Sequence, residues 1–291
     1  MAKKSVISLW LPGFGPDEIH SAPNTLFHAI QKNYRIPPGH LPVSWNTKTR
    51  IEENIAALQT LKFITLENRS ATLDEKNILS RYVGWGGIPE VFGWGSSYTR
   101  QIQDIVTQDE WQSMRESVNN AHYTTGLVIS AMWAAVEKMG FKGGKILEPA
   151  LGIGHFIGLC PEKISAASSF VGVEIDPVSS GIAKALYEDA TILDIGLQYT
   201  NLPDNYFDLA ISNIPFGSYK IHDPAFKRNK FLIHDYFFAK AMDKVKPGGM
   251  VAFITSIGTM DKQSGVVRQY SSNVRGLQNL PIVLQPVPAL T

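Results

Sequence analysis

The sequence predicts a doubly wound α/β fold preceded by a helical module, and three observations carry that expectation. Five short apolar runs, at 145–150, 170–175, Thr191–Leu193, 207–212 and 250–255, are separated by helix-length stretches. Unbroken apolar runs of this kind belong to strands buried on both faces, as in a parallel sheet covered by helices. The pair Gly143-Gly144 marks the point where a helical period gives way to these runs, and the first run ends in a glycine-bearing turn.

Taken in order, residues 1–48 are rich in Pro and Gly, as in Leu11-Pro12-Gly13-Phe14-Gly15-Pro16 and Pro37-Pro38-Gly39. They read as an irregular arm that either packs on another element or stays mobile. Residues 49–120 read as the helical module. Ile51, Ile55, Leu58 and the stem of Lys62 share one helical face. Thr72-Leu73-Asp74-Glu75 is a capping-box signature, opening a short helix with Ile78, Leu79 and Tyr82 inward. Gly84-Trp85-Gly86-Gly87-Ile88-Pro89 breaks that helix. A second box, Thr107 to Glu110, precedes Trp111, Met114 and Val118. The catalytic domain is expected over 121–291. It opens with Tyr123-Thr124-Thr125 and an amphipathic helix burying Val128, Ile129, Met132, Trp133 and Val136. After Thr255 the fold calls for a further helix and a closing strand pair.

Composition bounds the class of molecule. With 44% hydrophobic and 18% charged residues in 291, a sizeable core is available and disorder is disfavoured. The net charge of +1 excludes a broadly basic nucleic-acid binder and leaves room only for a local patch. The single cysteine, Cys160, sits in an apolar stretch and reads as a buried small hydrophobe. No apolar run is long enough to span a membrane and no signal peptide is visible, so a soluble, cytoplasmic chain is expected. The seven histidines are scattered without ligand spacing, and no metal is expected.

Chemistry concentrates at the ends of the predicted strands, where open α/β sheets bind ligands. The first strand runs into Glu148-Pro149-Ala150-Leu151-Gly152-Ile153-Gly154-His155-Phe156. Gly152 and Gly154 permit a tight turn and a close ligand approach. A dinucleotide fingerprint would place a third glycine where Ile157 stands. Glu148 can receive the amino group of an amino-acid moiety. The second strand ends Glu174-Ile175-Asp176, placing Glu174 as a ribose-hydroxyl acceptor and Asp176 as a helix cap. The fourth strand delivers Asn213-Ile214-Pro215-Phe216. An aromatic amine is a poor nucleophile because its lone pair is delocalised. If Asn213 Oδ1 and the Ile214 carbonyl accept its two N–H bonds, the nitrogen can pyramidalise and attack a sulfonium methyl. Pro215 fixes the backbone direction, and Phe216 offers a face for an extruded base.

These segments resemble a known family. Tyr123-Thr124-Thr125, Glu148-Pro149 with Gly152 and Gly154, Glu174-Ile175-Asp176 and Asn213-Ile214-Pro215-Phe216 look like amino-methyltransferases with an Asn-Pro-Pro-Tyr/Phe motif, in the order of gamma-type DNA adenine-N6 methyltransferases. Tyr82-Val83-Gly84-Trp85-Gly86-Gly87 and His234-Asp235-Tyr236-Phe237-Phe238 are similar to the methylase module of phage and mobile-element methylase–helicase proteins, some acting against restriction. The resemblance implies a Rossmann-like class I S-adenosylmethionine-dependent fold. It also implies that Tyr123 and Thr124 sit at the methionine end of the cofactor, Pro149 in the turn, Glu174 at the ribose and Phe156 along the pocket. Asp194 is the candidate for the acid beside the cofactor adenine. Ile214 replaces the family's first proline while keeping the carbonyl acceptor.

The resemblance ends near residue 265, so the carboxyl terminus reads as truncated, with no target-recognition domain. The expected reaction is adenine-N6 methylation of DNA, with weak, non-specific DNA binding by this chain alone and a separate recognition or helicase component. A protein glutamine or RNA amino-methyltransferase poses the same nucleophile problem, and a non-catalytic cofactor- or partner-binding module is the third alternative. Lys227-Arg228-Asn229-Lys230 reads as a solvated loop, and Trp85 and Trp94 as packing and turn residues.

Overall fold

The apolar runs form the strands of one sheet. In the computed structural model these are β1 (Gly144–Glu148), β2 (Ser168–Val173), β3 (Thr191–Leu193), β4 (Phe207–Asn213), β5 (Val245–Ile254) and β6 (Ile282–Leu284). The described residues are 32–41, 46–118, 123–255 and the backbone of β6. Their order in the sheet is β3-β2-β1-β4-β5-β6, and every neighbouring pair is parallel. The chain starts in the middle, winds out to β3 and returns beside β1. The switch point therefore lies between β1 and β4, where a doubly wound sheet opens a crevice at its carboxyl edge. β5 starts earlier than its apolar run implies. Val245 pairs with Phe207, the polar Lys246-Pro247-Gly248-Gly249 bulges out, and pairing resumes with Met250 opposite Leu209. Of the closing elements expected after 255, the parallel β6 is seen among the described residues, and the rest of that stretch lies outside them.

The helical module contains α1 (Thr47–Leu66), α2 (Leu73–Leu79), α3 (Ser97–Gln103) and α4 (Gln108–Ser117). Both predicted capping boxes form: Thr72 and Thr107 accept from the backbone of Glu75 and Glu110, whose carboxylates return the bond. Further helices are α5 (Gly126–Lys138), α6 (His155–Gly158), α7 (Glu162–Ala166), α8 (Pro177–Leu186) and α9 (Ile233–Lys244). Asp176 caps α8 through Ser179 N at 2.9 Å, with Pro177 next, where its missing N–H costs nothing.

The predicted faces need two corrections. In α5 the buried stripe is Ile129, Met132, Trp133 and Val136, an i, i+3, i+4, i+7 set, which leaves Val128 a quarter-turn off and exposed. In α2, Leu79 is buried while its neighbour Ile78 faces outward for the same reason. The end of the arm is ordered onto the sheet domain: Tyr34 N donates to Leu186 O (2.8 Å) and Ile36 N to Gly158 O (3.0 Å), and both side chains are buried. Cys160 is buried, and that burial pushes its thiol up to about 12, so it is an unreactive core residue. No described helix is long and apolar enough to cross a membrane.

Candidate active site

A cavity of about 470 Å³ opens at the switch point, within the size range of small-molecule sites. Its floor is made by the ends of β1, β2 and β4, and hydrogen bonds outside the regular ladder hold these ends in register. Leu151 N donates to Val173 O (2.9 Å), Glu174 N to Leu193 O (2.9 Å) and Ile214 N to Ile254 O (3.2 Å). Ser212 Oγ donates to Ala150 O at 3.0 Å, tying the Asn213 segment to the turn after β1.

Two carboxylates dominate the electrostatics. Glu148 is 3% exposed and its Oε2 has no hydrogen-bond partner. Burial, and then the nearby charge of Glu174, push its carboxyl well above the usual range. Glu174 keeps partial contact with solvent through the cavity. One of its oxygens accepts from Gly152 N (2.7 Å) and the other from Asp176 N (2.8 Å). Burial and then the Asp176 charge still raise it to about 7, against the lowering effect of those N–H bonds. An unpartnered buried acceptor beside a second carboxylate favours a ligand that brings cationic or N–H and O–H donors.

The helical module supplies one wall. Gly84 has φ +62°, and a Cβ there would lie 2.8 Å from Tyr123 Cε2, so only glycine lets the Tyr123 ring seat. Asn54 grips this segment, donating to Gly84 O (2.7 Å) and accepting from Val83 N (2.9 Å), while Arg50 Nη2 donates to Gly84 O at 3.1 Å. The Tyr123 ring also lies against Gly152, whose φ is +56°, and its hydroxyl meets Ser179 Oγ at 3.2 Å. Ser113 of α4 donates to Asp176 Oδ1 at 2.7 Å. His155 is buried and donates from Nε2 to Ser80 O (2.9 Å). Desolvation holds its pKa down at about 4, so it is neutral at pH 7.

The structure gathers Tyr123, Thr124, Glu148, Pro149, Gly152, Phe156, Glu174, Asn213, Ile214, Pro215 and Phe216 around this one cavity. Two sequence candidates are elsewhere. Gly154 (φ +81°) caps α6 and packs against the Tyr187 ring rather than lining the cavity. Asp194 turns outward to pair with Lys184 at 2.7 Å, because α8 places that lysine beside the end of β3. Local sequence pattern did not point to Ser113, Glu116 and Ser117 of α4, nor to Tyr219 and Phe237, as residues that line the cavity. Trp85 is fully buried, with Nε1 3.0 Å from Met114 Sδ, whereas Trp94 is fully exposed. Among the described residues, no group of three or more His, Cys, Asp and Glu side chains could hold a metal.

Comparison with known proteins follows the same lines. Over 213 residues the chain is 25% identical to the Defense against restriction protein B of Escherichia phage P1, a match that covers 71% of this chain and 8% of that protein. It is 28% identical over 130 residues to a type II methyltransferase of Thermus thermophilus (39% of this chain, 29% of the relative). Over 132 residues it is 29% identical to one of Paramecium bursaria Chlorella virus XZ-6E (44% and 34%). The chain is similar to type II methyltransferases and to a phage protein that acts against restriction. It spans about a third or less of the length of these relatives. No protein-family model matches it. Among solved structures, a type I restriction-modification methyltransferase subunit from Streptococcus thermophilus matches with a TM-score of 0.45 at 11% identity, over 77% of this chain and 72% of that one. An S-adenosylmethionine-dependent O-methyltransferase from Thermotoga maritima matches at 0.34 and 14%, over 52% and 49%. The fold assignment rests on the strand order itself.

Proposed function

We propose that this chain is an S-adenosylmethionine-dependent methyltransferase that modifies the exocyclic N6 amino group of adenine in DNA. The observation that carries the reading is one continuous cavity, lined both by Glu148, Gly152 and Glu174 and by Asn213, Ile214, Pro215 and Phe216. The residues present fit the cofactor. The unpartnered Glu148 Oε2 suits its ammonium, Glu174 its ribose hydroxyls, Thr124 its carboxylate, and Phe156 the wall of its pocket. When bound, S-adenosylmethionine supplies an electrophilic methyl group.

The chain's own residues prepare the nucleophile. Asn213 Oδ1 and the Ile214 carbonyl accept the two N–H bonds of the amine, localising its lone pair on nitrogen. Pro215 fixes the backbone direction directly after them, and Phe216 stacks on the base after it leaves the helix, at a cost of a few kcal/mol for a paired nucleotide. With a net charge of only +1 and no broadly basic surface implied, sequence reading is assigned to a separate recognition or helicase component. A DNA substrate and this cofactor suit a cytoplasmic reaction.

The deciding experiment offers tritiated S-adenosylmethionine with DNA, RNA and a glutamine-bearing release-factor protein in parallel. Label recovered as N6-methyladenine from DNA, and absent with Asn213→Ala, is the expected result. Label confined to RNA or protein overturns the substrate assignment. Intact cofactor binding with no transfer to any of the three would make the chain a binding module.

A further inference from the structure

The connection from β4 to α9 leaves the cavity at Tyr219 and Ile221 and returns to it at Ile233. Ile233 N donates to Tyr219 O at 2.9 Å, so residues 219–233 close into a compact loop tied at its base. Lys220, Lys227, Arg228 and Lys230 on this loop are exposed. The loop's only acid, Asp223, is 5% exposed. Asp223 Oδ2 accepts from Lys240 Nζ and Tyr236 Oη of α9, both at 2.8 Å, and its Oδ1 accepts from Ala225 N at 2.9 Å. Phe226 anchors the same turn, its ring 6.1 Å from that of Phe231 and 5.4 Å from that of Tyr236.

A merely solvated charge run needs none of this. A buried ion pair is a weak source of stability, because desolvation offsets its attraction. Here it has a different consequence: the loop's one negative charge is drawn inward and neutralised, and the exposed charges of the loop itself are all positive. That segregation occurs in a chain whose net charge is only +1.

We propose that this loop is the phosphate-contacting rim of the active site, with Lys220, Lys227, Arg228 and Lys230 holding the backbone of a nucleic-acid substrate beside the cavity mouth and the Asp223–Lys240 pair setting the loop's position. The assignment rests on the nucleic-acid reading of the cavity.

The test measures binding of the full chain to a fluorescent single-stranded, adenine-containing oligonucleotide by anisotropy, from about 50 to 200 mM salt. Lys227→Ala/Arg228→Ala/Lys230→Ala should lower the slope of log affinity against log salt by about 2, roughly 0.7 for each phosphate no longer neutralised. Calorimetry with S-adenosylmethionine, expected to be unchanged, verifies the fold of the variant. The single variants, each lowering the slope by about 0.7, give the same reading independently. A wild-type slope in the folded triple variant overturns the proposal, as does polyglutamate bound as tightly as the oligonucleotide. DNA methylation with an unchanged slope would overturn the rim alone. A changed slope without methyl transfer to any nucleic acid would leave the rim standing and overturn the catalytic reading.

Discussion

Replacing Glu174 by glutamine should change how stability depends on pH. In the folded chain the Glu174 carboxyl is raised to about 7 from an ordinary 4.5. Between those values the folded state holds a proton that the unfolded state has released, so stability falls as pH rises. The penalty is absent below pH 4.5 and complete above pH 7. At 1.36 kcal/mol per pKa unit its ceiling is about 3 kcal/mol, reduced because part of the side chain meets water in the cavity. Glutamine cannot ionise and escapes this loss. It keeps an acceptor for Gly152 N but gives up the second oxygen that Asp176 N uses, at a cost of about 1–3 kcal/mol. That cost is independent of pH and shifts the curve without bending it. Removing the charge also relieves Glu148, whose carboxyl Glu174 helps to raise, so both effects favour the variant at high pH. Urea unfolding of wild type and Glu174→Gln from pH 4.5 to 8, followed by tryptophan fluorescence, isolates the difference. The variant should gain about 1–3 kcal/mol relative to wild type across that range. Parallel curves would show that Glu174 ionises normally and would refute the electrostatic account of the site. The same linkage predicts that wild-type S-adenosylmethionine affinity rises from pH 6 to 8, with net proton release on binding.

Three further outcomes follow from the geometry. Asn213→Ala should keep cofactor affinity within about twofold and slow turnover by about a hundred- to a thousandfold, read by calorimetry and single-turnover methyl transfer. Gly84→Ala should destabilise the fold by about 1–3 kcal/mol and weaken cofactor binding, because its Cβ meets the Tyr123 ring at 2.8 Å with φ at +62°; unchanged melting and binding would show that the ring shifts freely. Asp194→Asn should leave cofactor affinity unchanged, since its carboxylate faces Lys184 and solvent; a tenfold weakening would return Asp194 to the site.

What the sequence revealed of this arrangement was its local part. The capping boxes at Thr72 and Thr107 involve residues three apart, and the strand cores are apolar runs that need no partner to be recognised. Glu148, Glu174 and Asn213 were legible because a parallel sheet places successive strand ends on one edge. Side-chain direction was not. Asp194 follows β3 as an adenine-side acid would, yet the lysine of α8 fixes where it points. Gly154 has the spacing of half a ligand turn and instead seats Tyr187. The Lys227-Arg228-Asn229-Lys230 run reads as solvated because nothing local indicates that Asp223 is withdrawn by Lys240.

The helical module takes part in the site through the same kind of long-range contact. Tyr82 packs edge-on against Tyr123 at 6.2 Å, Gly84 makes room for that ring, and Ser113 fastens α4 to the cap of α8. Glu116 and Ser117 reach the cavity from the last turn of α4. A ligand touching both walls would therefore add to the Ser113–Asp176 bond in holding α4 against the sheet domain. Ligand binding to the folded state stabilises whatever it bridges by mass action. Saturating S-adenosylmethionine should accordingly slow hydrogen exchange at the amides of α4 as well as at the Gly152 turn. Protection confined to the sheet domain would mean that α4 borders the cavity without taking part in it, and the Tyr123 ring alone would then carry the coupling.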